Sequence, residues 1–256
     1  MYSCARREHR LNNFWLPVVT LWQRELVRFW RQKSRVLGVV ASPLVFWLII
    51  GSGSGDLGRF FAGALVLTVL FSAIFSTISI IEDRREGFLL SMLVSPASRT
   101  SLVLGKILGA ATLAWIQGLI FLAFAPLAGV SIGIGDVLAV IGAVFLVSFT
   151  LTGLGFVIAW RMSSTAGFHA IMNLLLVPMW MVSGSLFPMA TAHGWIKIVM
   201  WVNPLTYSIT LLNGLLKLGS GSPGIGVSLS VTACFGLVLL LASGVEANRK
   251  SLVSNA

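Results

Sequence analysis

The sequence predicts an all-α polytopic membrane protein: six transmembrane helices, an N-terminal amphipathic interfacial helix, and a re-entrant outer hairpin before the last span. Three observations carry that prediction. Hydrophobic residues make up 57% of the 256-residue chain and charged residues only 10%, where a soluble domain carries roughly 25% charge. Seven stretches of 19 or more residues contain no Asp, Glu, Lys or Arg, and about 20 apolar residues cross a bilayer. The basic residues, 18 in all, crowd into a few segments between those stretches, as the positive-inside rule requires.

The chain begins with a basic segment, residues 1–35. Eight of its side chains are cationic, from Arg6 to Arg35, which places it beside anionic headgroups rather than on nucleic acid. No apolar run precedes Pro17, so no cleavable signal is expected. Within residues 13–35, Trp15, Val19, Trp22, Leu26 and Phe29 recur at steps of three and four, while Arg24, Arg28, Arg31 and Arg35 keep the same rhythm on another face. That pattern predicts a helix lying in the headgroup layer. Trp22, Arg24, Glu25, Arg28 and Arg31 are its candidate functional residues, for docking a partner or sensing movement of the first span. Simple anchoring fits the pattern equally.

Spans one to five are predicted within residues 36–187, at 36–53, 60–81, 105–128, 137–160 and 167–187, and span six at 225–244, with a tail at 245–256. Residues 188–218 are apolar but interrupted by Pro188, His193-Gly194, Asn203-Pro204 and Tyr207. Polar groups and prolines in so short a stretch are costly against lipid, so this segment is expected to dip into the membrane from one side. With six spans and both termini cytoplasmic, 15 basic residues lie inside and only Arg59, Lys197 and Lys217 outside. The outer loops 51–59 and 129–136 are too short for a soluble domain.

The segment between spans two and three is longer than a turn needs. Glu82-Asp83-Arg84-Arg85-Glu86-Gly87 opens it with five consecutive charges, and Phe88, Leu89, Met92 and Leu93 then fall on one face of a short helix that ends before Pro96. An amphipathic cytoplasmic helix flanked by charge suits a groove on a cytoplasmic partner. Glu82, Arg84, Arg85 and Glu86 would supply ion pairs there, and Phe88, Leu89, Met92 and Leu93 would fill the groove.

Several chemistries lack their parts. Gly105-Lys106 has no phosphate-loop context, the three histidines lie on separate segments, and Cys4 and Cys234 form no CxxC pair. No ionisable residue falls at mid-span, where a proton or sodium relay would need one. No catalytic, cofactor or metal site is expected on this chain.

The whole pattern resembles the permease subunits of the type-2 ATP-binding-cassette exporters. Three matches carry the resemblance: Arg24-Glu25-Leu26-Val27-Arg28-Phe29 followed by Pro43; Glu86-Gly87 through Leu93-Val94-Ser95-Pro96 with Arg99 and Gly105-Lys106; and Ser183-Gly184, Phe187-Pro188 and Asn203-Pro204-Leu205-Thr206-Tyr207. The stretch from Glu86 to Pro96 is similar to the family's coupling helix, and that from Ser183 to Tyr207 to its re-entrant hairpin. The chain departs from the pattern in lacking an acid soon after Gly87 and a base two turns beyond Asn203. The resemblance implies a bacterial or archaeal cytoplasmic-membrane exporter of two permeases and two ATPase subunits, the other permease being a copy or a relative. ATP and magnesium would sit on the ATPases. From the residues themselves, Pro188, Asn203, Pro204 and Tyr207 are expected to shape an outer gate at the mouth of a permease dimer. The alternative is that Asn203-Pro204 is merely a helix cap, since Asn is a preferred N-cap and Pro a preferred first helical residue. Spans rich in Phe, Trp, Met and Gly suit an amphipathic or lipid-like cargo. A membrane scaffold or assembly factor, or an ion-coupled carrier, are the alternative readings of the same topology.

Overall fold

A computed structural model describes residues 2–95, 97–219 and 223–248, without the side chains of residues 2–13, 33–37, 93 and 248. Pro96, the side chain of Leu93 and the tail beyond Asn248 lie outside the described residues. Every regular element among those described is helical: α1 Tyr2–Arg31, α2 Lys33–Ser54, α3 Leu57–Arg85, α4 Phe88–Val94, α5 Arg99–Leu122, α6 Ile134–Arg161, α7 Thr165–Trp180, α8 Gly194–Val202, α9 Pro204–Leu215 and α10 Ile225–Asn248.

Among the described residues, five helices are long and apolar enough to cross a membrane: Leu57–Arg85, Arg99–Leu122, Ile134–Arg161, Thr165–Ser185 and Ile225–Ala247. The first expected span falls in α2, whose described apolar part, Gly38–Ser54, is 17 residues, or about 26 Å at 1.5 Å per residue. Helix ends follow local chemistry. Asp56 accepts the Arg59 N–H at the start of α3, and Ser98 and Ser164 do the same for Ser101 and Gly167 at the starts of α5 and α7.

α3 is the central post. Its apolar window is 89% buried, whereas those of α7 and α10 are 22% buried. A helix hydrophobic on all sides belongs inside a bundle, and α3 is packed by α2, α5, α6, α7 and α9. At one end Trp47, Phe61 and Phe121 stack edge to face or tilted, 5.4–5.7 Å between centroids. The indoles of Trp47 and Trp180 donate to the carbonyls of Leu57 and Gly63, so neither buried N–H is left unpaired. Outward-facing Leu174, Leu175, Leu237, Val238 and Leu241 give the bundle a lipid-compatible wall.

α1 packs chiefly against α5, and its inward face differs from the expected one. Val18, Leu21, Glu25 and Phe29 are buried, while Trp15 and Val19 are exposed. The protein-facing stripe is rotated by roughly a quarter turn from the aromatic stripe read in the sequence. Arg24 and Arg28, expected on the headgroup face, turn toward the bundle because carboxylates wait there. The outward apolar face is made instead by Trp15, Leu16, Val19 and Trp30.

A candidate coupling site at the charged end of the bundle

Where α1, α3 and α5 converge, three carboxylates meet three cations. Asp83, fully buried near the C-terminal end of α3, accepts from Arg24 through both oxygens at 2.8 and 3.1 Å, from Arg28 at 2.8 Å, and from Lys106 of α5. Lys106 also donates to Glu25 at 2.8 Å, and both side chains are 4% exposed. Arg28 donates to Glu82 at 2.8 Å, with Glu86 at 3.7 Å on the rim. Three plus and three minus charges therefore neutralise one another, which buried ions require because an unpaired one costs several kcal/mol. Burial works against the Arg24 charge, but its hydrogen bond to Asp83 and the attraction of Asp83, Glu25 and Glu86 outweigh it and raise its pKa.

The approach of α1 depends on two glycines four residues apart on α5. A Cβ on Gly105 would lie 2.9 Å from the Val18 carbonyl oxygen, and one on Gly109 would lie 2.8 Å from the Glu25 Cβ. Small residues at this spacing let helix backbones come close, and here they bring Glu25 within reach of Lys106. Gly109→Leu should lever α1 off α5 and destabilise the protein by about 1–3 kcal/mol, seen as a lower unfolding temperature in detergent. Gly142→Leu, at a position with nothing within 4 Å of its Cβ, should leave that temperature unchanged.

The short helix α4 sits directly on this cluster. Gly87 joins it to α3 at φ 74°, a left-handed conformation that glycine adopts without strain. The Arg24 guanidinium lies 3.9 Å from the Phe88 ring centroid. Leu89 and Met92 are buried, beside Leu102, Val103, Phe156 and Trp160. This changes the surface available to a partner. Leu89 and Met92, expected to fill a partner's groove, face the bundle because the ends of α5 and α6 offer nearer apolar cover. Glu82 and Arg84 are likewise occupied within the chain, while Arg85, Glu86, Leu90, Ser91 and Val94 are exposed, Val94 at 84%.

Further contacts lace this end of the bundle together. Arg84 donates to the carbonyls of Trp160 and, at 2.9 Å, Met162, which the C-terminus of α6 leaves without helical partners. The Trp160 indole donates to the Glu246 carbonyl at 3.1 Å, Arg161 pairs with the Glu246 carboxylate, and Arg99 donates to the Ala247 carbonyl at 3.2 Å. α1, α3, α5, α6 and α10 are thus cross-linked beneath α4 by polar contacts.

At the opposite end, α7 breaks before Pro188. A wide turn at Met181–Ser185 contains Gly184 at φ 90°, and the Ser183 and Ser185 hydroxyls both donate to the Trp180 carbonyl. Asn203 caps α9 by accepting the Leu205 N–H at 3.0 Å, with Pro204 at the first helical position, and its amide also donates to the Met179 carbonyl. It is therefore both a cap and a tether to the end of α7. The Tyr207 hydroxyl donates to the Trp201 carbonyl at 2.8 Å, holding α8 against α9. Pro188 is exposed and precedes a short turn at Met189–Thr191.

Residues 17–216 match the model of the ABC-2 type transporter family, a stretch that includes the charge cluster, α4 and the Asn203 cap. The chain belongs to that family. Among its relatives are the transport permease ycf38 of Cyanophora paradoxa, 24% identical over 244 residues, covering 85% of this chain and 84% of that protein. Nodulation protein J of Rhizobium meliloti (strain 1021) is 25% identical over 246 residues, covering 86% of this chain and 88% of its own. The linearmycin resistance permease protein LnrN of Bacillus subtilis (strain 168) is 26% identical over 171 residues, covering 66% of this chain and 44% of its own. This ABC-2 chain is a multi-pass transporter permease, a transmembrane component of the family.

Of the candidate residues, Arg24, Glu25, Arg28 and Glu82 gather in one cluster with Glu86 on its rim, and the Trp22 indole N–H donates to Thr112 at 3.1 Å. Arg31 and Arg85 are exposed. Sequence reasoning missed Asp83 and Lys106 as the centre of the cluster. The available signals were an acid and a base at the ends of consecutive apolar runs and the Gly105–Gly109 spacing.

Proposed function

We propose that this chain is the membrane-spanning permease subunit of an ATP-driven exporter whose ATPase is a separate subunit docking on α4. The observation that carries this reading is the two-sided character of α4. Its inner face is locked through Arg24, Leu89 and Met92 to the ends of α1, α5 and α6, while its outer face presents Leu90 and Val94 away from the bundle, beside the exposed Arg85 and Glu86 at the end of α3. A push on that outer face cannot be absorbed locally, so it moves the laced helix ends together.

In this reading the α4 end is cytoplasmic, both termini lie inside, and α2 supplies the first of six spans. α8 and α9 form the re-entrant hairpin on the outer side, and α1 lies at the interface with Trp15, Val19 and Trp30 toward lipid. Two copies, or this chain and a relative, pair with two ATPases in the cytoplasmic membrane. ATP and magnesium reside on the ATPases. Outward movement fits a family relative named for linearmycin resistance, and uncharged spans rich in Phe, Trp, Met and Gly suit an amphipathic or lipid-like cargo.

The hairpin tests the transport half of this proposal. Asn203→Ala removes both the α9 cap and the tether to Met179, and Tyr207→Ala removes the α8–α9 tie. Cap loss alone costs about 1 kcal/mol. In proteoliposomes containing the complete complex, both variants should export several-fold less cargo per ATP while hydrolysis persists or rises. Transport and hydrolysis falling together, in proportion to lost folded protein, would leave the hairpin a purely structural element. Transport that follows an ion gradient and ignores ATP would contradict the proposal itself.

A further inference from the structure

We infer that the pocket enclosed by the hairpin end of the bundle binds the anionic headgroup of an amphiphile, with Arg59 and Lys197 as its counter-charges. The cavity measures about 490 Å³ and lies between the start of α3, the broken end of α7, and α8 and α9. That volume suits a headgroup and the first part of a chain. The inference rests on this end of the bundle lying at a membrane surface, and not on ATP coupling.

The charge inventory points to an anion. Arg59 and Lys197 line the cavity, no acid lines it, and neither cation has an ion-pair partner among the described residues. The third base at this end, Lys217, is neutralised by Asp136 at 2.6 Å. Asp56, near Arg59 in sequence, uses its carboxylate to cap α3 through the Arg59 backbone N–H. At the other end of the bundle Arg24, Arg28 and Lys106 are matched by carboxylates, whereas exposed Arg59 and half-buried Lys197 share one cavity with no ion-pair partner among the described residues. Two cations lining one cavity repel, and an anion bound in it removes that cost.

A second, independent feature is an orphaned hydroxyl. The Ser183 and Ser185 hydroxyls donate to the Trp180 carbonyl, and that of Thr210 to the Thr206 carbonyl. Thr206 also lines the cavity, is 2% exposed, and its own hydroxyl has no hydrogen-bond partner in the protein. Burying an unpaired hydroxyl is unfavourable; this one is fully covered, and a turn of the Thr206 side chain into the cavity would pair it with an anion oxygen. Met200, Trp201 and Leu218 complete the wall with apolar surface, which a free inorganic ion does not need and an acyl or isoprenoid chain does.

The test uses the full chain in a neutral maltoside detergent, with no ATP and no ATPase, so its outcome is separable from that of the export proposal. Binding of dioleoyl phosphatidylglycerol, dioleoyl phosphatidylcholine and inorganic phosphate is measured by native mass spectrometry and by titration calorimetry. Phosphatidylglycerol should bind about tenfold tighter than phosphatidylcholine, the size of one charge-assisted hydrogen bond. Arg59→Gln/Lys197→Gln should erase that preference and Lys217→Gln should keep it, each protein remaining monodisperse. Thr206→Val should weaken phosphatidylglycerol several-fold yet raise the unfolding temperature of the lipid-free protein, an outcome that mere misfolding does not produce. Equal phosphatidylglycerol binding by the double variant would overturn the inference, as would inorganic phosphate displacing the lipid at comparable concentration, which would make this a free-anion site.

Discussion

Asp83→Asn should cost the protein about 3–5 kcal/mol, because it removes one member of a buried charge set and leaves the others uncompensated. Among carboxylates Lys106 would keep only Glu25, while Arg24 would lose its bidentate partner and Arg28 one of its three. Lys106→Met should be comparably damaging from the other side, since Glu25 and Asp83 would then face each other without the ammonium between them. The double variant Asp83→Asn/Lys106→Met is the informative one. It leaves Glu25 and Glu82 against Arg24 and Arg28, again neutral, so it should be more stable than the two single losses predict by at least about 1 kcal/mol. Thermal unfolding and the yield of monodisperse protein from membranes measure all four species. Strict additivity would mean that Asp83 and Lys106 act independently and that the cluster does not tie α3 to α5.

The other large effect is expected on the outer face of α4. Leu90→Asp with Val94→Asp puts two charges where an ATPase groove would close over apolar side chains, and neither position packs into the bundle. Anchors of this kind are worth about 2 kcal/mol or more each in protein interfaces, so association with the ATPase should fall at least about thirtyfold while the permease still folds and inserts. Charge reversal at exposed Arg85 together with Glu86 should weaken association less, because rim charges contribute little. Leu89→Asp should behave differently. Its side chain is 4% exposed, so the variant should lose folded protein rather than selectively lose the partner.

The contrast between Leu89 and Leu90 shows where sequence reading stopped. Spans were legible because apolar runs longer than the bilayer is thick have few other uses, and α3, α5, α6 and α10 lie close to where those runs predicted. The Asn203-Pro204 helix start was legible because capping is local chemistry. The facing of α4 was not. Its amphipathic stripe is real, but periodicity gives a stripe and not what covers it, and the nearest cover is the chain's own Phe156 and Trp160. The charge cluster was hidden for the same reason. Arg24 and Asp83 are 59 residues apart, and Lys106 and Glu25 are 81 apart, so no local pattern pairs them. Arginines on an amphipathic helix fit headgroups and buried carboxylates alike, and only the packing of α1 on Gly105 and Gly109 decides between them.

The central claim is that a separate ATPase drives this permease through the outer face of α4. A photo-crosslinking amino acid placed singly at Leu89, Leu90 and Val94, in membranes containing the permease and its ATPase, tests it most directly. Leu90 and Val94 should yield a permease–ATPase adduct whose amount changes when ATP is bound, and Leu89 should yield none. Adducts from Leu89 alone, or none to any ATPase from any of the three positions while the complex remains intact, would contradict the account.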